Sequence, residues 1–211
     1  MPSIKVKLHS LRWTFTLLIV ASAVVLWAGC NSTNPRPATP PSAPELAATA
    51  GVVAAAGKPQ PIRIKAGLEM SYTNQDGVVW LADQGFEAGE TTDRGDDLQI
   101  ANTTNPELYR SEHYGMAGFS CPVPNGRYVV KLHFAETFDE ITGPGQRVFS
   151  FAVGDRVFKD FDVFARAGGA KRAYIESVPV AITNGRLFIK FEAEVENPEI
   201  NAIEILPAET Q

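Results

Sequence analysis

Three acids crowd the stretch "HFAETFDEITGPG": Glu136, Asp139 and Glu140. Hydrolysis of a glycosidic bond needs two carboxyl groups facing each other across a cleft, one giving a proton and one attacking or activating water. Spacing along the chain does not set that separation, and acids in a loop ordinarily face solvent, so catalysis is the least favoured reading. The sequence holds no G-x-S-x-G nucleophile elbow, no phosphate-cradling glycine loop and no paired-histidine zinc motif. Asp93, Asp96 and Asp97 have the oxygen chemistry of a calcium site, and equally that of a solvated turn; no cofactor and no metal are expected. Arg94-Gly95-Asp96 reads as part of that charged turn rather than as an adhesion tripeptide.

Aromatic side chains near turn signals suggest a different chemistry. Tyr72, Trp80, Tyr109, Tyr114 and Phe138 stand outside clean apolar runs. A sugar ring offers one apolar C–H face and a rim of hydroxyls, so its site wants aromatic platforms beside carboxylates and amides. "LYRSEHYG" (Leu108 to Gly115) and "AETFDE" supply those types. Read as a strand, the first places Leu108, Arg110, Glu112 and Tyr114 on one face and Tyr109, Ser111 and His113 on the other. Neither face is apolar. Trp80 and Tyr109 fit packing better than binding.

The elements that must position these residues are strands. "RYVVKLHFAE" alternates Tyr128, Val130, Leu132 and Phe134 against Val129, Lys131 and His133. "RVFSFAV" sets Phe149, Phe151 and Val153 to one side, unless apolar Val148 reverses the register, and "RLFIKFEAE" does the same with Leu187, Ile189 and Phe191. Period two predicts half-buried strands. Asn125-Gly126, Asn184-Gly185 and Gly154-Asp155 mark turns, with Asn-Gly the stronger hairpin signal. Pro122, Pro124 and Pro179 belong at strand edges or ends. Many short strands without a long amphipathic helix predict an all-β antiparallel sandwich or barrel.

Ahead of that unit lies a different kind of sequence. Lys5, Lys7 and Arg12 precede an apolar run of about 15 residues, Trp13 to Trp27, shorter than the roughly 20 a membrane span needs. Residues 1–29 therefore read as an export signal. "LWAGC", ending at Cys30, resembles the bacterial lipoprotein cleavage box, with Trp27 where leucine is usual; the resemblance implies cleavage before Cys30 and its lipidation. Residues 30–60 are rich in Pro, Ala, Ser and Thr and form a tether; the folded unit runs over 61–207, and 208–211 are a tail. The full chain carries 19 Lys+Arg against 24 Asp+Glu, net −5; loss of Lys5, Lys7 and Arg12 leaves 16 against 24, net −8. An acidic domain is not expected to bind nucleic acid or to adhere to anionic lipid by a basic patch. With Cys30 lipidated, Cys121 has no partner in the chain and reads as a buried, inert thiol.

"IRIKAGLEMSYTNQDGVVWLAD", "NPELYRSEHYG", "VPNGRYVVKLHFAET", "GQRVFSFAVGDRVFKDFDVFARAG" and "ENPEINAIEIL" run in order from Ile62 to Leu206. Together they resemble malectin and the malectin-like carbohydrate-binding modules. The resemblance implies a jelly-roll-like β-sandwich that binds glucose-containing oligosaccharides through loops at one end, without catalysis. It assigns sugar contact to Tyr114, to Phe138 in place of a tyrosine, and to Glu196 in place of an aspartate before Asn197-Pro198. Asp139 stands where malectin has an aromatic residue, and "TTDRGDDLQIANT" offers no counterpart to an earlier tyrosine-glycine contact. Asp139 and Asn197 complete the expected hydroxyl-binding set, and Glu136 with Arg147 forms a structural pair. The expected protein is a lipid-anchored envelope domain, at the outer membrane given Asn31 after the cysteine. The alternative is a protein-interaction or scaffold module, and a glycoside hydrolase ranks below both.

Overall fold

A computed structural model describes residues 59–208. The signal segment, Cys30, nearly all of the tether and the last three residues lie outside the described residues. The described strands are β1 (Ile62–Lys65), β2 (Tyr72–Thr73), β3 (Val79–Trp80), β4 (Phe86–Glu87), β5 (Glu90–Asp93), β6 (Ser111–Tyr114) and β7 (Gly118–Pro122). They continue with β8 (Gly126–Phe134), β9 (Val148–Val153), β10 (Arg156–Phe161), β11 (Tyr174–Ile182), β12 (Arg186–Val195), β13 (Glu199–Ile200) and β14 (Ala202–Pro207). One short helix, α1 (Val163–Ala167), follows β10; its start is capped by Asp162, which accepts from the Ala165 amide at 2.9 Å.

Two sheets make the sandwich: one in the order β1-β14-β8-β11, the other β10-β9-β12-β7-β4, each paired antiparallel throughout. The period-two faces meet between them. Val130, Leu132 and Phe134 of β8, with Ile203 and Ile205 of β14, pack against Phe149, Phe151 and Val153 of β9 and Leu187, Ile189 and Phe191 of β12. Phe134 lies 5.0 Å from Phe161 and 5.9 Å from Phe151 between ring centroids, so the aromatics interlock across the layers. Pro179 falls mid-strand in β11, where an edge position tolerates its missing N–H.

Two local expectations change. Gly154-Asp155 closes the β9–β10 hairpin as its spacing predicts, but Asn184-Gly185 joins β11 to β12, which belong to different sheets. The Asn-Gly signal specifies a tight turn, not the partner of the strand that follows. Asn125 Oδ1 accepts from the Gly185 amide at 2.8 Å, tying both Asn-Gly corners together. "LYRSEHYG" is also not one strand. Pro106 opens a 3-10 turn through Tyr109, Arg110 caps it, and only Ser111–Tyr114 is extended.

A second apolar cluster covers the outer side of β8 with Trp80, Ile100, Leu108 and Tyr109. There Tyr109 shares a 2.8 Å hydrogen bond with His133 Nδ1, and Trp80 meets the same ring edge-on at 5.6 Å. Both aromatics are packing residues, as their sequence contexts predict. Cys121 is half-buried rather than buried, and burial pushes its thiol above the usual range, which disfavours the reactive thiolate.

Candidate functional site

A third small sheet, in the order β13-β6-β5, builds the floor of a loop-end pocket. Tyr114 pairs with Glu199 on one side and Glu90 on the other, while Glu112 pairs with Thr92. Directly opposed residues share a face, so Glu90, Thr92, Glu112, Tyr114 and Glu199 all project the same way. The opposite face fixes the strand. Lys65 Nζ donates to Ser111 Oγ at 2.5 Å, Ser111 O at 2.8 Å and Ala66 O at 2.9 Å, and burial pushes this lysine down to about 7. His113 bonds Asp83 through Nδ1 and the Ala88 carbonyl through Nε2, both at 2.9 Å, and stacks on Phe86. Gly89, at φ +91°, passes so close to β6 that an added Cβ would stand 2.5 Å from the Tyr114 carbonyl oxygen.

The other wall is the segment between β8 and β9. Glu136 is fully buried; Arg147 Nε donates to it at 2.7 Å and the Phe138 amide at 3.0 Å. Arg147 Nη1 reaches the Asn197 carbonyl at 2.5 Å, joining this wall to the turn after β12. Buried Glu112 accepts from Arg94 Nη2 at 2.8 Å and from Thr137 Oγ1 at 2.5 Å. The Arg94 guanidinium also lies over the Phe138 ring, 5.7 Å from its centroid. The cavity so framed measures about 180 Å³ and is lined by Thr92, Arg94, Glu112, Tyr114, Phe138, Arg147 and Glu196.

Tyr114, Phe138 and Glu196, separated by more than eighty positions in sequence, therefore line one pocket. Glu196 sits at φ +62°, an uncommon backbone state for a glutamate. Its Oε1 is held by the amide and Nδ2 of Asn197 at 3.0 and 3.1 Å. Asn197 thus orients Glu196 and is not itself among the lining residues. Asp139 is also outside the lining: its exposed carboxylate pairs with Lys171 at 2.8 Å, which holds its pKa below the ordinary range. The expected Glu136–Arg147 pair is present, and Arg147 additionally faces the cavity. Sequence reasoning missed Thr92, Arg94 and Glu112. Thr92 and Arg94 come from the very stretch that lacks the family's tyrosine-glycine contact; their alternation with Asp93 was the available signal.

The acids that the sequence singles out are held by partners within the protein or lie at its surface. Glu136 is sealed by Arg147, and Asp139 points to the surface. Asp93 accepts from the Gly95 amide at 2.8 Å and Asp96 pairs with Arg110 at 3.6 Å. Among the described residues no group of three His, Cys, Asp or Glu side chains is arranged to hold a metal ion.

Glu199, on the same face of the small sheet as Tyr114 and Glu112, is 0% exposed, and neither carboxylate oxygen has a hydrogen-bond partner among the described residues. Burial, reinforced by Glu112 and Glu136, pushes its pKa well above the ordinary 4.5 despite Arg147 and Arg94. The folded protein keeps a proton that the unfolded chain releases, so stability present below pH 4.5 is lost as pH rises through the raised value. Glu199→Gln should flatten that part of the stability–pH curve and leave the variant more stable than the parent at alkaline pH. Urea unfolding across pH checks this; parallel curves for both proteins would contradict it.

A protein-family profile described as "Malectin domain" matches residues 61–203. Receptor-like protein 4 of Arabidopsis thaliana is 36% identical over 84 residues, covering 39% of this chain and 13% of that protein. A probable leucine-rich repeat receptor-like serine/threonine-protein kinase of the same plant is 40% identical over 72 residues, covering 32% of this chain and 7% of its own length. The chain thus spans only a small part of these curated relatives. Among solved structures, a Bacteroides uniformis β-glucuronidase superposes with a TM-score of 0.62 at 18% identity, over 71% of this chain and 18% of that one. The ANXUR1 extracellular domain of Arabidopsis thaliana superposes with a TM-score of 0.61 at 15% identity, over 71% and 48%. At such identities the superpositions establish the sandwich fold alone.

Proposed function

The chain belongs to the malectin domain family, and from that premise we propose that its loop-end pocket binds carbohydrate without transforming it. The observation that carries this reading is the convergence of Tyr114, Phe138 and Glu196 on one cavity of about 180 Å³. That is smaller than the roughly 300–1,000 Å³ of pockets for drug-sized ligands, and suits one sugar ring with its neighbours outside. Tyr114 donates its hydroxyl to Glu90 at 2.8 Å, which steadies the ring and leaves the phenol oxygen able to accept from a sugar hydroxyl. Phe138 supplies the apolar surface, Glu196 and Thr92 the groups for hydroxyls, with Asn197 holding Glu196 in place and Asp139 at the rim.

Glucose-containing oligosaccharides are the ligands we propose, bound without catalysis. The test is a calorimetric titration with α-glucans, for which saturable heat is expected. We further propose an exported protein held to the cell envelope through lipidated Cys30; the mass of the mature N-terminal peptide decides between a lipidated and an unmodified cysteine.

A further inference from the structure

We infer that the pocket discriminates against acidic sugars, so that its ligand is an uncharged or amine-bearing ring rather than a uronate. The inference rests on the carbohydrate reading and adds a charge rule to it. Two arginines face the cavity, and arginine is the usual partner of a carboxylate. Both, however, are already committed. Arg94 donates through Nη2 to Glu112 and through Nε to Thr137. Arg147 donates through Nε to Glu136 and through Nη1 to the Asn197 carbonyl. Each guanidinium thus spends two of its nitrogens on the protein and is already paired with a carboxylate, Glu112 or Glu136, with which an incoming acid would have to compete.

The charges around the cavity point the same way. Arg94 and Arg147 oppose four acids: Glu112 and Glu196 in the lining, Glu136 behind Arg147, and Glu90 bonded to the Tyr114 hydroxyl. Outside the lining, Asp139 and Lys171 pair with each other. An incoming carboxylate therefore meets paired cations and an excess of acid in a recess where part of the solvent is displaced, and its lost hydration is not replaced. A hydroxyl meets no such penalty.

The experiment compares three probes on the intact protein by calorimetry at low salt: an α-linked glucose disaccharide, the same disaccharide carrying carboxylates at C6, and the methyl ester of that acid. The acid should bind at least about tenfold more weakly than the neutral sugar, with the ester recovering most of the loss, as a charge effect requires. Glu90→Gln, which removes a surface charge while keeping an acceptor for Tyr114, should narrow the ratio between the affinities of acid and ester. An acid that binds as tightly as the disaccharide overturns the inference and leaves carbohydrate binding intact. An ester as weak as the acid overturns it too, because size would then be the cause. Failure of all three probes to bind overturns both readings.

Discussion

Tyr114→Ala should lower affinity for a bound glucan by about thirtyfold, roughly 2 kcal/mol, the scale of an interface hot spot. The side chain stands at the mouth of the pocket, reaches Glu90 through its hydroxyl and packs into no core cluster. The domain should therefore unfold at nearly the same denaturant concentration as the parent, and the loss would belong to binding alone. Tyr114→Phe separates the two parts of the residue. It keeps the ring and should retain most of the affinity, losing only what the steadying bond to Glu90 and the phenol oxygen contribute. Calorimetry on the three proteins measures both differences. Undiminished affinity in Tyr114→Ala would move the binding surface away from β6.

Arg147→Ala should be the most damaging single change in stability, at about 3–5 kcal/mol, because it leaves a buried carboxylate without its cation. Glu136 is 0% exposed and Arg147 is 4% exposed, so water does not replace the lost partner. Burial already holds the Glu136 pKa above its ordinary value even with Arg147 beside it. Without the guanidinium the acid must take up a proton or drag its loop open, and the Asn197 carbonyl loses its donor as well. Replacing both members by methionine should be less destabilising than Arg147→Ala alone, since a matched apolar pair leaves no orphaned charge. Chemical denaturation gives the comparison. A cost below about 1 kcal/mol for Arg147→Ala would mean that solvent reaches Glu136, and that the wall is looser than its hydrogen bonds describe.

The sandwich was readable wherever a strand has one wet face and one dry face. In β9 and β12 the alternation named the core residues one by one, because water on one side forces the pattern; β8 keeps the alternation although Trp80 and Tyr109 cover part of its outer face. That logic fails for β6, the strand that matters most. Ser111, Glu112 and His113 are all buried, and their faces are polar because both are occupied by partners: Lys65 and Asp83 behind, Arg94 and Thr137 in front. No period exists to find when charges are paired across tertiary contacts. Glu199 was invisible for the same reason. Nothing in "NPEI" signals that a glutamate will be covered on both sides, and only the pairing of β13 with β6 shows it. The family resemblance named Tyr114, Phe138 and Glu196, which line one pocket and which physical patterning alone could not have chosen. It also put Asp139 among the ligand-binding groups, whereas Lys171 draws that side chain to the surface. Thr92 and Arg94 came from a charged stretch whose short strand of Glu, Thr and Asp residues carries no apolar signal at all.

The most direct test of the pocket as a sugar site is a calorimetric titration of the purified protein with a series of α-glucans, alongside unrelated polysaccharides as controls. Carbohydrate binding predicts saturable heat for at least one glucan with a single class of sites. No saturable heat from any member of either series would contradict it.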